Sequence, residues 1–217
     1  MHEKRPEFTW RVAREAWLLV ALLGVLAVVA GWMGSRWLAA GALAAALAVM
    51  AFFRDPERSG PEDPGLVVAP ADGRVIEVRS AGRESRPTIG IFLSIFDVHI
   101  NRSPVGGEVV AVERTRGRFR AAFREVAAGG NERVAMTIHT PRGDVVCTQI
   151  AGLVARRIVC RAQPGDRLEA GERYGLIQFG SRVDVGLPAG SVVLIARGER
   201  TRAGVTPMAR LPGGSGA

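Results

Sequence analysis

The sequence predicts a mainly β protein, with a β-sandwich or barrel-like domain preceded by an N-terminal helical membrane hairpin. Three observations carry this reading. Ala16 to Met33 and Trp37 to Phe53 hold no charged residue and are separated only by Gly34-Ser35-Arg36. From Leu66 onward, short β-branched runs are broken by Gly, Pro, Asp or Asn, the punctuation of an all-β unit. In that region only Arg118 to Ala128 reads as a helix, and a weak one.

Each apolar run is close to the ~20 residues that cross ~30 Å of hydrocarbon, at the short end of the range. Trp10, Trp17, Trp32 and Trp37 all lie near the run ends, as in an interfacial belt. Lys4, Arg5, Arg11 and Arg14 precede the first run, Arg54 and Arg58 follow the second, and the turn carries only Arg36. The positive-inside bias then places both ends in the cytoplasm, and the expected location is the cytoplasmic face of the cell membrane. A signal peptide would leave the second run unexplained, and a soluble hairpin this apolar would need burial on every side. Runs this short fit both full crossing and a dip from one side.

The expected organisation is a membrane hairpin over 1–54, a Pro/Gly-rich linker over 55–65, an all-β domain over 66–210, and a disordered Pro/Gly/Ser tail over 211–217. Strands are expected at Leu66–Ala69, Gly73–Arg79, Thr88–Ser94, Gly107–Glu113, Val134–His139, Val145–Leu153, Arg157–Cys160, Tyr174–Phe179, Val183–Val185, Val192–Arg197 and Ala203–Met208. Gln163 to Glu172 has the turn-strand-turn character of a biotinyl/lipoyl-like half-barrel. With no lysine in a tight turn nearby, a carrier role finds little support.

The net charge of +8 suits nucleic acid or an anionic membrane. The hairpin favours the membrane. Sparse aromatic residues, with Tyr174 the only tyrosine, argue against base-stacking platforms, so no nucleic-acid partner is expected. Cys147 and Cys160 sit in apolar alternating runs and read as small core residues. No Cys-x-x-Cys or His-x-x-x-His spacing exists, so no metal is expected. No glycine-rich loop of the Walker or dinucleotide type is present.

Three polar islands interrupt the β pattern: Ala69-Pro70-Ala71-Asp72-Gly73-Arg74-Val75, Ile95-Phe96-Asp97-Val98-His99-Ile100-Asn101-Arg102-Ser103-Pro104, and the Gly180-Ser181 turn. They supply a carboxylate (Asp72), an imidazole (His99) and a hydroxyl (Ser181), the parts of a relay that activates a serine. Gly180 has no side chain to shield its carbonyl, and the hydroxyl of Ser181 can turn back on it. Taken singly, Asp72-Gly73 also reads as a turn pair, His99 as a hydrogen-bonded core histidine, and Gly-Ser as an ordinary turn. His139, in an alternating strand, reads as structural.

The hairpin, Phe52-Phe53-Arg54-Asp55-Pro56-Glu57-Arg58, Pro70-Ala71-Asp72-Gly73, Phe96-Asp97-Val98-His99-Ile100-Asn101, Asn131-Glu132-Arg133 and Phe179-Gly180-Ser181-Arg182-Val183-Asp184 together resemble phosphatidylserine decarboxylase, in its short prokaryotic pyruvoyl-dependent form. The resemblance covers nearly the whole chain in order. It implies a proenzyme that cuts itself between Gly180 and Ser181 into a large chain (1–180) and a small chain (181–217), which stay together as a heterodimer. The former Ser181 becomes a covalent pyruvoyl group, the cofactor. That group takes the substrate amine as a Schiff base, and phosphatidylserine in the bilayer becomes phosphatidylethanolamine and CO₂. Asp72 would orient His99, and His99 would take the Ser181 proton. Two departures stand out. The cut site is Phe-Gly-Ser-Arg where longer bacterial enzymes have Leu-Gly-Ser-Thr, and Phe96 stands where they carry an additional histidine. The proton donor after decarboxylation is left open by this, as is any higher oligomer. Arg54, Arg58 and Arg102 are candidates for the lipid phosphate. Two rival readings are a membrane-anchored β-domain that binds a partner without catalysis, and a pyruvoyl enzyme acting on a soluble amino acid.

Overall fold

The computed structural model describes residues 12–79, 86–117, 131–152, 158–177 and 181–213. The chain divides into two compact units, Met1–Glu57 and Arg58–Ala217.

The first unit is a helix pair. A 3-10 turn, Arg14–Ala16, leads into α1 (Trp17–Trp32), and α2 spans Arg36–Phe52. α1 ends in a Schellman motif. Ser35 N–H reaches back to the Ala30 carbonyl at 2.8 Å and Gly34 N–H to Gly31 at 3.0 Å, with Gly34 in the left-handed region at φ 78°, where glycine carries no Cβ penalty. Ala30, Ala42 and Ala46 are buried, small residues that let two helix backbones approach. The ends of the hairpin are clasped by a bridge between Val12 and Arg54 and by Ala13 N–H to Phe53 O at 2.8 Å. Leu18, Val28, Trp32 and Trp37 point outward. Arg14–Trp32 is long and apolar enough to cross a membrane, while Arg36–Phe52 is shorter.

The second unit is built of β-strands: β1 (Leu66–Val68), β2 (Gly73–Arg79), β3 (Thr88–Leu93), β4 (Ile100–Arg102), β5 (Gly107–Thr115), β6 (Arg133–His139), β7 (Val145–Ile150), β8 (Ile158–Cys160), β9 (Arg167–Leu168), β10 (Arg173–Ile177), β11 (Ser181–Gly186), β12 (Val192–Val193), β13 (Arg200–Thr201) and β14 (Pro207–Arg210). They form an eight-stranded sheet of order β13-β2-β3-β11-β7-β6-β5-β9 and two three-stranded sheets, β1-β14-β12 and β4-β10-β8. All pairings are antiparallel. Register shifts at Val75/Glu77 and Val109/Ala111 are bulges, which bend a sheet and increase its twist. One core joins the three sheets, from Ile89, Ile91, Val183, Val185, Met136 and Cys147 in the large sheet to Met208 and Ala209 in one small sheet and Tyr174 and Ile177 in the other. In the large sheet, period-two alternation puts Ile89 and Ile91, and Val183 and Val185, on one face of their strands.

The expected strands are found with several corrections. Ala203 to Val205 is a turn, with Val205 and Thr206 N–H both on the Arg202 carbonyl at 3.0 Å, and the strand begins only at Pro207. β12 is two residues long, not six. Ser181 opens a strand rather than sitting in a turn. β4 and β13 were not anticipated; they are too short to show a period, while β9 is the strand between the two turns expected over Gln163 to Glu172. Leu211 is buried, and its N–H bonds the Gly65 carbonyl at 2.9 Å, so order continues past residue 210. Arg118 to Ala128, the expected helix, lies outside the described residues. Chain 55–65 has no regular structure, yet it is stitched to the β-unit from Arg58 on. Asp63 pairs with Arg210 at 2.9 Å, and its carboxyl is held below the usual range by the Gly65 N–H and then by Arg210.

Cys147 is fully buried with Sγ 3.2 Å from Tyr174 Oη, and burial pushes its thiol up to about 12. Both cysteines are free, and Cys160 is half-buried. Cys147 should therefore resist alkylation in the folded protein, reacting about a thousandfold more slowly near neutral pH than an exposed thiol, as mass spectrometry of iodoacetamide-treated samples would read. The folded thiol keeps its proton up to about 12, while an unfolded one ionises near 9.0. Its contribution to stability is thus complete below the lower value and is lost as pH rises towards the higher.

Candidate active site

Ser181 is the first residue of β11, held between β3 and β7. Its Cα faces Leu93. Alternation puts it on the same face as Val183 and Val185, the core face, so its side chain is 0 % exposed. Its Oγ has no hydrogen-bond partner among the described residues. An unsatisfied buried hydroxyl costs about 1–3 kcal/mol and calls for an explanation in a folded protein. Gly180 lies outside the described residues, together with Gln178 and Phe179.

His99 lies immediately before β4 and is buried. Its Nδ1 is 2.8 Å from the Asp97 carbonyl oxygen. A carbonyl only accepts, so Nδ1 carries the proton and Nε2 is the basic nitrogen of the neutral ring. The His99 carbonyl in turn accepts from Ile177 N–H at 3.4 Å. Leu93 thus pairs with Ser181, and His99 with Ile177. These two contacts bring the His99 loop close to Ser181 at the start of β11.

Asp72 takes a different place from the one expected. Its carboxylate is gripped by both terminal nitrogens of Arg58, with Nη2 to Oδ2 at 2.8 Å, and Oδ1 also accepts the Ala203 N–H at 2.8 Å. Among the described residues no hydrogen bond joins it to His99, whose ring is oriented by the Asp97 carbonyl instead. A bidentate guanidinium is a stronger partner than a neutral imidazole, and Arg58 arrives from the segment that was read only as a linker. Gly73 follows in a conformation open to glycine, φ 152°, where an added Cβ would run into the Phe92 carbonyl. Asp72 therefore ties the start of β2 to residues 58 and 203. Of the three arginines considered for a lipid phosphate, Arg58 is engaged with Asp72, and Arg102 is buried and donates to the Gly171 carbonyl at 2.9 Å. Arg54 is exposed and donates to Ala51 O at 2.7 Å.

Two buried amides were missed. Gln149 Nε2 donates to Asn101 Oδ1 at 2.8 Å, and Gln149 Oε1 has no partner among the described residues. Gln149 lies opposite Val183 on the neighbouring strand, so it shares the core face with Ser181 one diagonal step away. The signal was available: a glutamine follows Val145 and Cys147 on the inward parity of β7. Asn131, from the Asn-Glu-Arg island, donates to the Ala151 carbonyl at 2.7 Å, just past the end of β7. On the opposite face of β11, Arg182 reaches Asp184 and Glu77 of β2. Burial raises the Asp184 carboxyl above its usual range, against the pull of Arg182. Among the described residues no cluster of His, Cys, Asp and Glu could hold a metal. The orphaned Ser181 hydroxyl, at the head of a rigid strand, fits a group made from the serine itself.

Two substitutions separate site from scaffold. Ser181→Ala removes an oxygen with no partner among the described residues and should leave folding stability unchanged or raise it, by up to about 1–3 kcal/mol. Arg58→Ala leaves the Asp72 carboxylate largely buried and should cost about 2–4 kcal/mol. Thermal melts of the two variants would read the difference.

Comparison with known proteins identifies the family. The family model described as phosphatidylserine decarboxylase matches residues 45–209. A protein of Mycolicibacterium vanbaalenii is 48 % identical over 196 residues, covering 86 % of this chain and 84 % of its own. One of Rhodococcus jostii is 52 % identical over 186 residues, covering 82 % and 78 %. One of Symbiobacterium thermophilum is 50 % identical over 210 residues, covering 93 % and 96 %. Each of the three is named phosphatidylserine decarboxylase proenzyme. With the match running through the hairpin's second helix, the Asp72 turn, the His99 loop and β11, the chain belongs to the phosphatidylserine decarboxylase family of enzymes.

Proposed function

We propose that this chain decarboxylates phosphatidylserine to phosphatidylethanolamine and CO₂, using a pyruvoyl group generated from Ser181 by self-cleavage at Gly180-Ser181. The observation that carries the reading is the Ser181 hydroxyl, buried and without a hydrogen-bond partner among the described residues, at the head of β11 and next to the loop that presents His99.

His99 Nε2 takes the hydroxyl proton, its tautomer fixed by the Nδ1–H bond to the Asp97 carbonyl. Ser181 Oγ bonds to the Gly180 carbonyl carbon. The amide C–N bond breaks, its nitrogen gains the proton, and an ester replaces the amide. Loss of the residue-181 Cα proton expels the Gly180 carboxylate. Hydrolysis of the remaining dehydroalanine releases ammonia and leaves the pyruvoyl end. That group supplies an electron sink for the charge left when CO₂ departs. The protein contributes a fixed strand end, since β11 is paired on both sides, and a largely dry surrounding of Ile177, Val183 and Leu93. Asp72 acts through its clasp with Arg58, which holds the start of β2 beside β3. Gly180 is the acyl side of the bond that is cut.

The rest of the reading concerns placement. The hairpin over 1–54 holds the enzyme at the cytoplasmic face of the cell membrane, with the large and small chains forming a heterodimer after cleavage. Residues 66–210 form the catalytic domain, with biotinyl/lipoyl-like half-barrel character and 55–65 as its connection. The exposed apolar side chains of α1 and α2 and the arginines at both hairpin ends support this. A lipid substrate gives the anchor a purpose, because confinement to the leaflet raises effective concentration.

Intact mass of the purified protein tests the reading. Two chains are expected, broken after Gly180, with the small one lighter by one ammonia than a peptide starting with serine. Ser181→Ala should stay uncut, and His99→Gln should cut at least about a hundredfold more slowly. A folded wild type that remains one chain, or a cut enzyme that releases no CO₂ from phosphatidylserine vesicles, would sink the proposal.

A further inference from the structure

We propose that the turn Ser94–Asp97 is a membrane contact of the β-unit itself, seating Ile95 and Phe96 in the interfacial layer of an anionic bilayer beside the site. The inference rests on the reading that the substrate is a bilayer lipid. Ile95 is 54 % and Phe96 80 % exposed, although the residues around them, Leu93, Val98 and His99, are buried. The exposure is built in rather than left over. Asp97 Oδ2 accepts the Ser94 N–H at 2.8 Å, Asp97 N–H reaches the Ser94 carbonyl at 3.1 Å, and Ser94 Oγ accepts the Phe96 N–H at 3.4 Å. These bonds turn the chain outward at Ile95 and Phe96 and then return it to the core at Val98.

The position of the turn matters. It begins one residue after Leu93, the partner of Ser181, and ends two residues before His99. A lipid held by this turn therefore has its headgroup within reach of the serine bond. Charge points to the same partner. Arg74 lies opposite Phe92 on β3, and Arg200 lies opposite Arg74 on β13. Both are exposed, and Arg200 Nη1 is 3.9 Å from Asp97 Oδ1. The Asp97 carboxylate is itself turned onto the Ser94 amide. Two apolar side chains at the tip with arginines behind them form the pattern that binds an anionic lipid surface, the apolar part inserting and each cation adding to the attraction. An aqueous substrate would find no use for an exposed phenylalanine at this place.

The test uses the full-length chain carrying Cys160→Ser and Phe96→Cys, labelled with an environment-sensitive nitrobenzoxadiazole probe; Cys147 stays unlabelled because its thiol is buried. The protein is reconstituted into vesicles of phosphatidylcholine and phosphatidylglycerol, which hold no substrate. The probe at 96 should be quenched by nitroxide-bearing lipids and protected from iodide, while the same probe at the exposed Glu169→Cys should show the reverse. Arg200→Gln should weaken the nitroxide quenching, with an association about fivefold lower. Ile95→Ser with Phe96→Ser should cut itself normally, raise KM on phosphatidylserine vesicles about tenfold, and leave KM unchanged on a soluble short-chain phosphatidylserine. If that double variant misfolds, the probe at 96 still decides the matter. Quenching by iodide overturns the proposal. So does protection from both quenchers, which would mean that a second copy of the chain covers the turn. An inserted probe on an enzyme that releases no CO₂ retires the catalytic reading and leaves the membrane contact. An active enzyme with its probe in water does the opposite.

Discussion

The double pairing of residues 182–186, with 88–92 on one side and 146–150 on the other, is the constraint on which the site depends. A strand bound on both edges has no freedom of register, because a slip of one residue would exchange its two faces. Here the faces are chemically opposite. Ser181, Val183 and Val185 go to the core, and Arg182 and Asp184 go to a cluster with Glu77 on the other side. The hydroxyl is therefore held in the interior by the same alternation that keeps Arg182 out of it. His99 inherits its position from that register too, since its loop is closed by Leu93 at one end and by the contact with Ile177 at the other.

The polar groups near this strand end form two separate arrangements. One is satisfied and structural: Arg58, Asp72 and Ala203 saturate one another. The other holds open valences, with Ser181 Oγ and Gln149 Oε1 both buried and unpartnered among the described residues. Folding energy favours the first kind and tolerates the second only at a cost. This contrast directs attention to Ser181 and Gln149 and assigns Asp72 to the scaffold.

Sequence reading was reliable where a period exists. Gly73–Arg79 was placed with the boundaries observed, and the helix pair fell within a residue or so of its apolar runs. It failed for Ile100–Arg102 and Arg200–Thr201, whose pairing is imposed by neighbours and leaves no mark in two or three residues. Ala203 to Val205 looked like a strand because of its apolar content, but its backbone turns on Arg202. At the site, residue chemistry singled out Ser181 and His99, and the structure places the His99 loop near the start of β11. Residue chemistry could not identify the orienting group of His99, a backbone carbonyl, which has no signature in any sequence. Nor could it connect Arg58 with Asp72, because a proline-rich stretch offers no periodicity from which to infer a contact. Gln149, by contrast, was legible as a polar residue on the inward parity of β7 after Val145 and Cys147.

Under the proposed cleavage before Ser181, the ordering of the sheets bears on the lifetime of the molecule. The strands after residue 180 are not a peripheral flap. β11 lies in the middle of the large sheet, β13 lies on β2, and β14 lies between β1 and β12. Residues 181–213 are thus woven into strands that precede Ser181 in the chain. In the native state, breaking one peptide bond releases little. After unfolding, the two pieces diffuse apart, and a fold that formed once as a unimolecular event must re-form as a bimolecular one, against the entropy that the uncut chain's own connectivity had removed. Cleavage would thus make assembly a one-way event, and the persistence of the mature molecule would be set by its unfolding barrier rather than by its folding equilibrium.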